Sequence, residues 1–124
     1  MIEDDQPLLF VYGTLLRGEP AHHLLEGAPL IASAHTAPNF RFVELEARYP
    51  ALVDGGTLAV SGEIYRIRED LLERLDRYED APDYYQRRIL QLGAYRVFAY
   101  VLRPEYAGDG IELSDGDWRR RKRG

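Results

Sequence analysis

The feature that most constrains this chain is an apolar run, Leu8-Leu9-Phe10-Val11. It stops abruptly at Tyr12-Gly13-Thr14-Leu15 and passes into Arg17-Gly18-Glu19-Pro20. A short apolar run bounded by turn residues is the pattern of a buried strand, and here the strand gives way at once to a tight loop. Gly13 has access to positive φ and carries no side chain, so a ligand has room to approach the main chain. Successive N–H groups in such a loop form an anion-binding concavity. Taken alone, the pattern fits an ordinary strand exit better. The balance changes with a second stretch, Leu75-Asp76-Arg77-Tyr78-Glu79-Asp80-Ala81-Pro82-Asp83-Tyr84-Tyr85-Gln86-Arg87.

That second stretch grows out of the clearest helix in the chain, residues 69–78. Leu71, Leu75 and Tyr78 recur at i, i+4 and i+7, and Leu72, Leu75 and Glu79 at i, i+3 and i+7. The same spacing sets Glu79 at the end of the apolar stripe, while Glu73, Arg74, Asp76 and Arg77 take the wetter sides. A carboxyl in apolar surroundings is disfavoured in its charged form, so its pKa rises. This is the profile of a general acid/base working near neutral pH. The competing reading is a frayed helix end from which Glu79 reaches water. Pro82 then stops the helix.

These two stretches together resemble the gamma-glutamylcyclotransferase-like (AIG2-like) superfamily, in the form of its short bacterial and gamma-glutamylamine cyclotransferase-type members. That pattern has a Tyr-Gly-Ser/Thr-Leu loop after the first strand, matched in full by Tyr12, Gly13, Thr14 and Leu15. It also has a later segment, Leu-Asp-x-Phe/Tyr-Glu-Gly-x-Pro-x-x-Tyr-x-Arg, matched at Leu75, Asp76, Tyr78, Glu79, Pro82, Tyr85 and Arg87. The chain departs at Asp80, where many members have Gly. Ser114, Gly116, Asp117 and Trp118 are similar to the close of short members. The resemblance spans nearly the whole chain.

The resemblance implies an α+β fold, a mixed small barrel or bent sheet with a few helices packed outside and a pocket at its mouth. It implies a reaction in which a free α-amine attacks its own γ-amide carbonyl and releases 5-oxoproline and an amine. It assigns Glu79 as catalytic general acid/base and Tyr12, Gly13, Thr14 and Leu15 as substrate-binding residues. It implies no cofactor, no metal and no covalent intermediate, because the substrate supplies the nucleophile. Tyr85 and Arg87 are secondary candidates. They orient Glu79, face the pocket, or serve structure alone. The partner implied is a small gamma-glutamyl substrate. The alternatives are a non-catalytic small-molecule binding module on the same fold, and an interaction protein acting through the C-terminal tail.

The rest of the chain agrees with a single α+β domain over residues 1–118. Residues 30–35, 40–45, 58–67, 84–92 and 95–102 read as further strands, the last two joined as a hairpin at Gly93-Ala94. With the first run this makes six or seven strands and two helices, bunched rather than alternating, so the sheet is expected to be mainly antiparallel. Gly62 inside a strand predicts a bulge or a close backbone approach. Pro20 opens a short helix over 21–25 that Gly27 ends. Adjacent His22 and His23 point apart on a helix, which makes them a poor metal pair and reads as surface. Tyr49 to Val53 is similar to a pocket-wall segment of the family, with Tyr49 itself read as a core aromatic. Tyr106 is a candidate to reach substrate from its loop, and Trp118 is expected to pin the C-terminal segment to the body.

With no cysteine, the chain has no disulfide, no thiolate nucleophile and no Cys-ligated metal. Gly-x-Ser-x-Gly is absent too. The net charge of −5 argues against general nucleic-acid affinity. Five of the 16 basic residues sit in Arg119-Arg120-Arg121-Lys122-Arg123, so residues 119–124 are expected to be a solvated, disordered tail. No run approaches the roughly 20 apolar residues that cross a bilayer. The acidic start, Met1 to Asp5, is unlike a signal peptide, so a cytoplasmic location is expected.

Overall fold

A computed structural model describes residues 6–46, 49–108 and 110–120. Its strands are β1 (Leu8–Val11), β2 (Leu30–His35), β3 (Phe40–Glu44), β4 (Pro50–Asp54), β5 (Ser61–Arg66), β6 (Tyr85–Leu92), β7 (Tyr95–Leu102) and β8 (Ile111–Glu112). One α-helix, α1, spans Glu69–Tyr78, the range its periodicity predicts. The expected first helix is a 3₁₀ turn, His22–Leu25, too short for α-helical bonding to repeat.

The strands form a five-stranded sheet in the order β2-β5-β1-β7-β6 and a three-stranded sheet in the order β4-β3-β8. The first is antiparallel except where β1 runs parallel to β7. Central β1 is buried along Leu9, Phe10 and Val11, which is why its sequence is a continuous apolar run rather than an alternating one. The β6–β7 hairpin closes at Gly93-Ala94 as expected, with Gly93 at φ 61.

The sheets bend but do not close into a barrel. Thr36-Ala37-Pro38 carries the chain out of the first sheet before β3 begins, and a proline has no N–H with which to extend a ladder. Apolar packing joins the two sheets instead. The rings of Phe10, Tyr12, Phe42 and Trp118 follow one another at centroid distances of 6.1, 5.9 and 6.1 Å, and β4 packs against β7.

Gly62 shows the close approach, not the bulge. A Cβ there would stand 2.1 Å from the Val11 carbonyl oxygen, whereas the register irregularity lies between Leu30 and Ala32. Trp118 is fully buried, as expected. The tail expected from 119 onward is corrected at two positions. Arg119 and Arg120 share a 3₁₀ turn with Trp118, and the Arg119 guanidinium donates to the Arg17 carbonyl. The buried Trp118 fixes the backbone that follows it. Residues 121–124 lie outside the described residues.

No helix among the described residues is long and apolar enough to cross a membrane.

Candidate active site

The loop leaving β1 is folded on itself. Leu16 N–H donates to the Gly13 carbonyl (3.0 Å) and Ala21 N–H to the Thr14 carbonyl (2.9 Å). His22 Nδ1–H donates to the Leu15 carbonyl at 2.8 Å, and its ring lies 5.5 Å from that of Tyr65. His22 is therefore a half-buried brace of this loop rather than a surface histidine. The turn's own bonds use carbonyls of Gly13, Thr14 and Leu15 and leave their N–H groups outside it. Gly13 is not in the left-handed region. Its lack of a side chain matters for packing: a Cβ would stand 1.9 Å from Cγ of Pro50. The expectation of positive φ is corrected to a steric requirement imposed by β4, which is remote in sequence.

Glu79 caps α1. Its N–H still donates to the Leu75 carbonyl at 2.8 Å, so its side chain stays on the apolar face one turn beyond Leu75. The next residue, Asp80, reverses the chain at φ 55, the left-handed region that the Gly of the family pattern suits. Asp tolerates this region better than most residues. The turn is completed by Ala81 N–H on the Asp76 carbonyl (2.8 Å) and Tyr84 N–H on the Asp80 carbonyl (2.8 Å). Burial pushes the Glu79 carboxyl up to about 7. Its place at the carbonyl end of α1 acts in the same direction, because the helix dipole is negative there.

The loop and Glu79 line one cavity of about 210 Å³, a size suited to a molecule of amino-acid dimensions. Tyr12, Gly13, Thr14, Leu15, Glu79 and Tyr85 all contribute to its wall. Arg87 does not. It reaches back to α1, where its Nε lies 2.9 Å from Asp76 Oδ1 and its guanidinium carbon 4.7 Å from the Phe98 ring centroid. The same Asp76 oxygen accepts the Tyr100 hydroxyl at 2.7 Å, and the Tyr100 carbonyl accepts the Tyr12 hydroxyl at 2.5 Å. A polar chain thus runs from Arg87 through Asp76 and Tyr100 to Tyr12. Tyr85 donates to the Pro50 carbonyl at 2.7 Å, tying β6 to β4 beneath the cavity. Burial first, and the neighbouring Glu79 charge among the lesser causes, drives the Tyr12, Tyr85 and Tyr100 hydroxyls far above their ordinary range, so all three are neutral hydrogen-bonding groups.

Several wall residues were not expected. Tyr49 is 49% exposed and lines the cavity, which corrects its reading as a core aromatic. Tyr106 is not on the wall and stacks 5.1 Å from Tyr84, which is. Tyr78, Tyr84 and Tyr100 line the cavity from α1, the turn and β7. The number of tyrosines in the chain, nine, is the one sequence signal that could have pointed to them.

Residues 9–120 match the family model described as Gamma-glutamyl cyclotransferase, AIG2-like. A Vibrio cholerae protein, whose name gives gamma-glutamylcyclotransferase only as an unproven activity, is 34% identical over 113 residues, 91% of this chain and 96% of that one. Gamma-glutamylaminecyclotransferase B of Danio rerio is 40% identical over 94 residues, 69% of this chain. The match takes in only about half of the zebrafish protein, 49% of its length. The crystal structure of an AIG2-like protein from Mus musculus superposes with a TM-score of 0.77 at 30% identity, covering 96% of this chain and 86% of that one.

Proposed function

The chain belongs to the gamma-glutamyl cyclotransferase, AIG2-like family, and from that premise we propose that it is an enzyme converting a gamma-glutamyl amine or amino acid into 5-oxoproline and the free amine. The observation that carries this reading is Glu79: a partly buried carboxyl, held near 7, that shares a cavity with the Tyr12–Leu15 loop. In the reaction the substrate α-amine forms a bond to its own γ-carbonyl carbon, and the γ-amide C–N bond breaks. Glu79 takes a proton from the attacking nitrogen as general base and returns it to the leaving nitrogen as general acid. A pKa close to the working pH suits a group that must do both.

Negative charge builds on the carbonyl oxygen during attack. The N–H groups of Gly13 to Leu15 stabilise it or hold the substrate α-carboxylate. The enclosing tyrosines keep the substrate folded, so that its two ends meet. The deciding experiment is direct detection of 5-oxoproline from wild type and Glu79→Gln on a panel of gamma-glutamyl amino acids, amines and glutathione. Product from wild type alone is expected. Undiminished product from Glu79→Gln would remove Glu79 from the mechanism. No product from folded wild type on any substrate would favour a binding module, to be pursued by thermal-shift screening.

A further inference from the structure

The Tyr12–Leu15 loop is fastened from behind by one residue of β5, Glu63. In the antiparallel register of β1 and β5, Glu63 stands opposite Val11, the last residue of β1. A side chain at Gly62 would strike the Val11 carbonyl oxygen, so β5 lies close against the strand just where the loop leaves. The Glu63 side chain meets the chain again where the loop ends: Arg17 N–H donates to its Oε1 at 2.9 Å. Residues 12–16 therefore depart from and return to the same residue.

The Glu63 carboxylate is itself held. The Tyr65 hydroxyl donates to the same Oε1 at 2.9 Å, and Arg119 Nη2 stands 3.6 Å from Oε2. The Arg119 guanidinium also donates to the Arg17 carbonyl, so both backbone polar groups of Arg17 are engaged. Burial first, and the bond to Glu63 next, push the Tyr65 hydroxyl up to about 12, which keeps it a donor. Its ring packs against His22, the residue that holds the Leu15 carbonyl. The Glu63 side chain is only 13% exposed, a setting in which charge-assisted hydrogen bonds are strong. Among the described residues Glu63 is not on the wall of the Glu79 cavity; it lines a separate groove with Leu16, His35, Asp117 and Arg119.

Backbone donors stabilise developing charge only when they are fixed in advance, and a loop free at one end must be ordered at each turnover. We propose that Glu63 is a positioning residue for the reaction: without touching substrate, it closes the Tyr12–Leu15 loop into the arrangement that presents its N–H groups to the cavity. This inference rests on the cyclotransferase reading of Glu79 and that loop.

The test compares wild type, Glu63→Ala and Glu63→Gln. Alanine deletes both accepted bonds. Glutamine keeps an oxygen that accepts from Arg17 N–H and the Tyr65 hydroxyl, and loses only the charge opposite Arg119. Release of 5-oxoproline is measured from gamma-glutamyl-alanine and gamma-glutamyl-butylamide. Glu63→Ala should lower kcat/KM roughly ten- to hundredfold, and Glu63→Gln should stay within about threefold of wild type. The acid limb near 7 should not move in either variant, because Glu79 remains the base. Amide hydrogen exchange reads the loop directly. The N–H groups of Leu16, Arg17 and Ala21, each bonded in the closed loop, should exchange roughly tenfold faster or more in Glu63→Ala and near the wild-type rate in Glu63→Gln. Amides of β6 and β7 should be unchanged.

Wild-type turnover or wild-type exchange in Glu63→Ala would overturn the proposal. An equal loss in both variants would too, since the accepted bonds would then not be what holds the loop. Exchange accelerated across β6 and β7 would make Glu63 a general prop of the fold, and a displaced acid limb would make it a participant in proton transfer; either result overturns the positioning role. If wild type releases no 5-oxoproline, the cyclotransferase reading fails separately, and exchange alone decides. Acceleration confined to the loop in Glu63→Ala and restored in Glu63→Gln supports the brace, and unchanged exchange overturns it.

Discussion

At the scale of single residues, Glu79, the general acid/base of the proposed reaction, bears a cost in stability. Its carboxyl is pushed up to about 7 in the folded chain against an ordinary 4.5, so the folded state binds a proton more tightly than the unfolded one. The proton-linked stability is fully present below pH 4.5 and is lost as pH rises through 7. A displacement of this size corresponds to about 3 kcal/mol of destabilisation once the group is ionised in both states. Glu79→Gln removes the ionisation and keeps the shape. The variant should therefore melt with wild type near pH 4 and well above it at pH 8, while the proposed mechanism expects it to be inactive. Melting curves that stay superimposed across that range would contradict the burial argument. If Glu79 is the base, as proposed, wild-type kcat/KM should rise along an acid limb centred near 7, because the base must be ionised in the free enzyme.

At the scale of elements, the site depends on how α1 is clamped to the hairpin of β6 and β7. Asp76 is the clamp, since one of its oxygens meets both Arg87 Nε and the Tyr100 hydroxyl one turn before Glu79. Asp76→Ala leaves a guanidinium and a hydroxyl, both largely enclosed, without their partner. The expected loss is about 1–3 kcal/mol of stability, accompanied by a lower kcat as Glu79 shifts. Urea denaturation measures the first and 5-oxoproline release the second. Tyr100→Phe removes only one of the two bonds and should cost less. A wild-type urea midpoint for Asp76→Ala would show that α1 is held by its leucines alone. The Asp80 turn belongs to this scale too: it lets α1 end without a glycine and brings Tyr84 and Tyr85 back toward the cavity.

At the scale of the whole molecule, two open sheets share no strand ladder and are held together mainly by aromatic packing, with the Tyr85 hydroxyl on the Pro50 carbonyl as a side-chain link between them. Trp118, fully buried against Phe42, anchors the C-terminal segment to the smaller sheet. Leu113 N–H on the Phe42 carbonyl (2.8 Å) and Ser61 N–H on the Gly116 carbonyl (2.8 Å) tie the same segment to both sheets. Trp118→Ala should destabilise the domain by about 3–5 kcal/mol and lower its Tm while preserving one cooperative transition. A Tm within a degree or two of wild type would mean that the C-terminal segment adds little to the core.

Local pattern alone carried the reader to β1, to both ends of α1 and to the β6–β7 hairpin. Each rests on interactions between near neighbours in sequence, namely an apolar run, a helical period and a two-residue turn. The two motifs carried the site as far as Tyr12–Leu15, Glu79 and Tyr85, all of which the fold gathers round one cavity. Tertiary structure decided the rest. Arg87 turned away from the cavity because Asp76 offered it an ion pair across 11 positions of chain. Gly13 proved indispensable for the Pro50 ring behind it rather than for its own φ. Tyr49, Tyr78, Tyr84 and Tyr100 became walls only when four separate elements converged. Barrel closure failed for the same kind of reason: strand periodicity says which residues face inward, but whether two sheet edges meet depends on where the chain turns between them. Such pairings join residues far apart in sequence, and no local pattern specifies them.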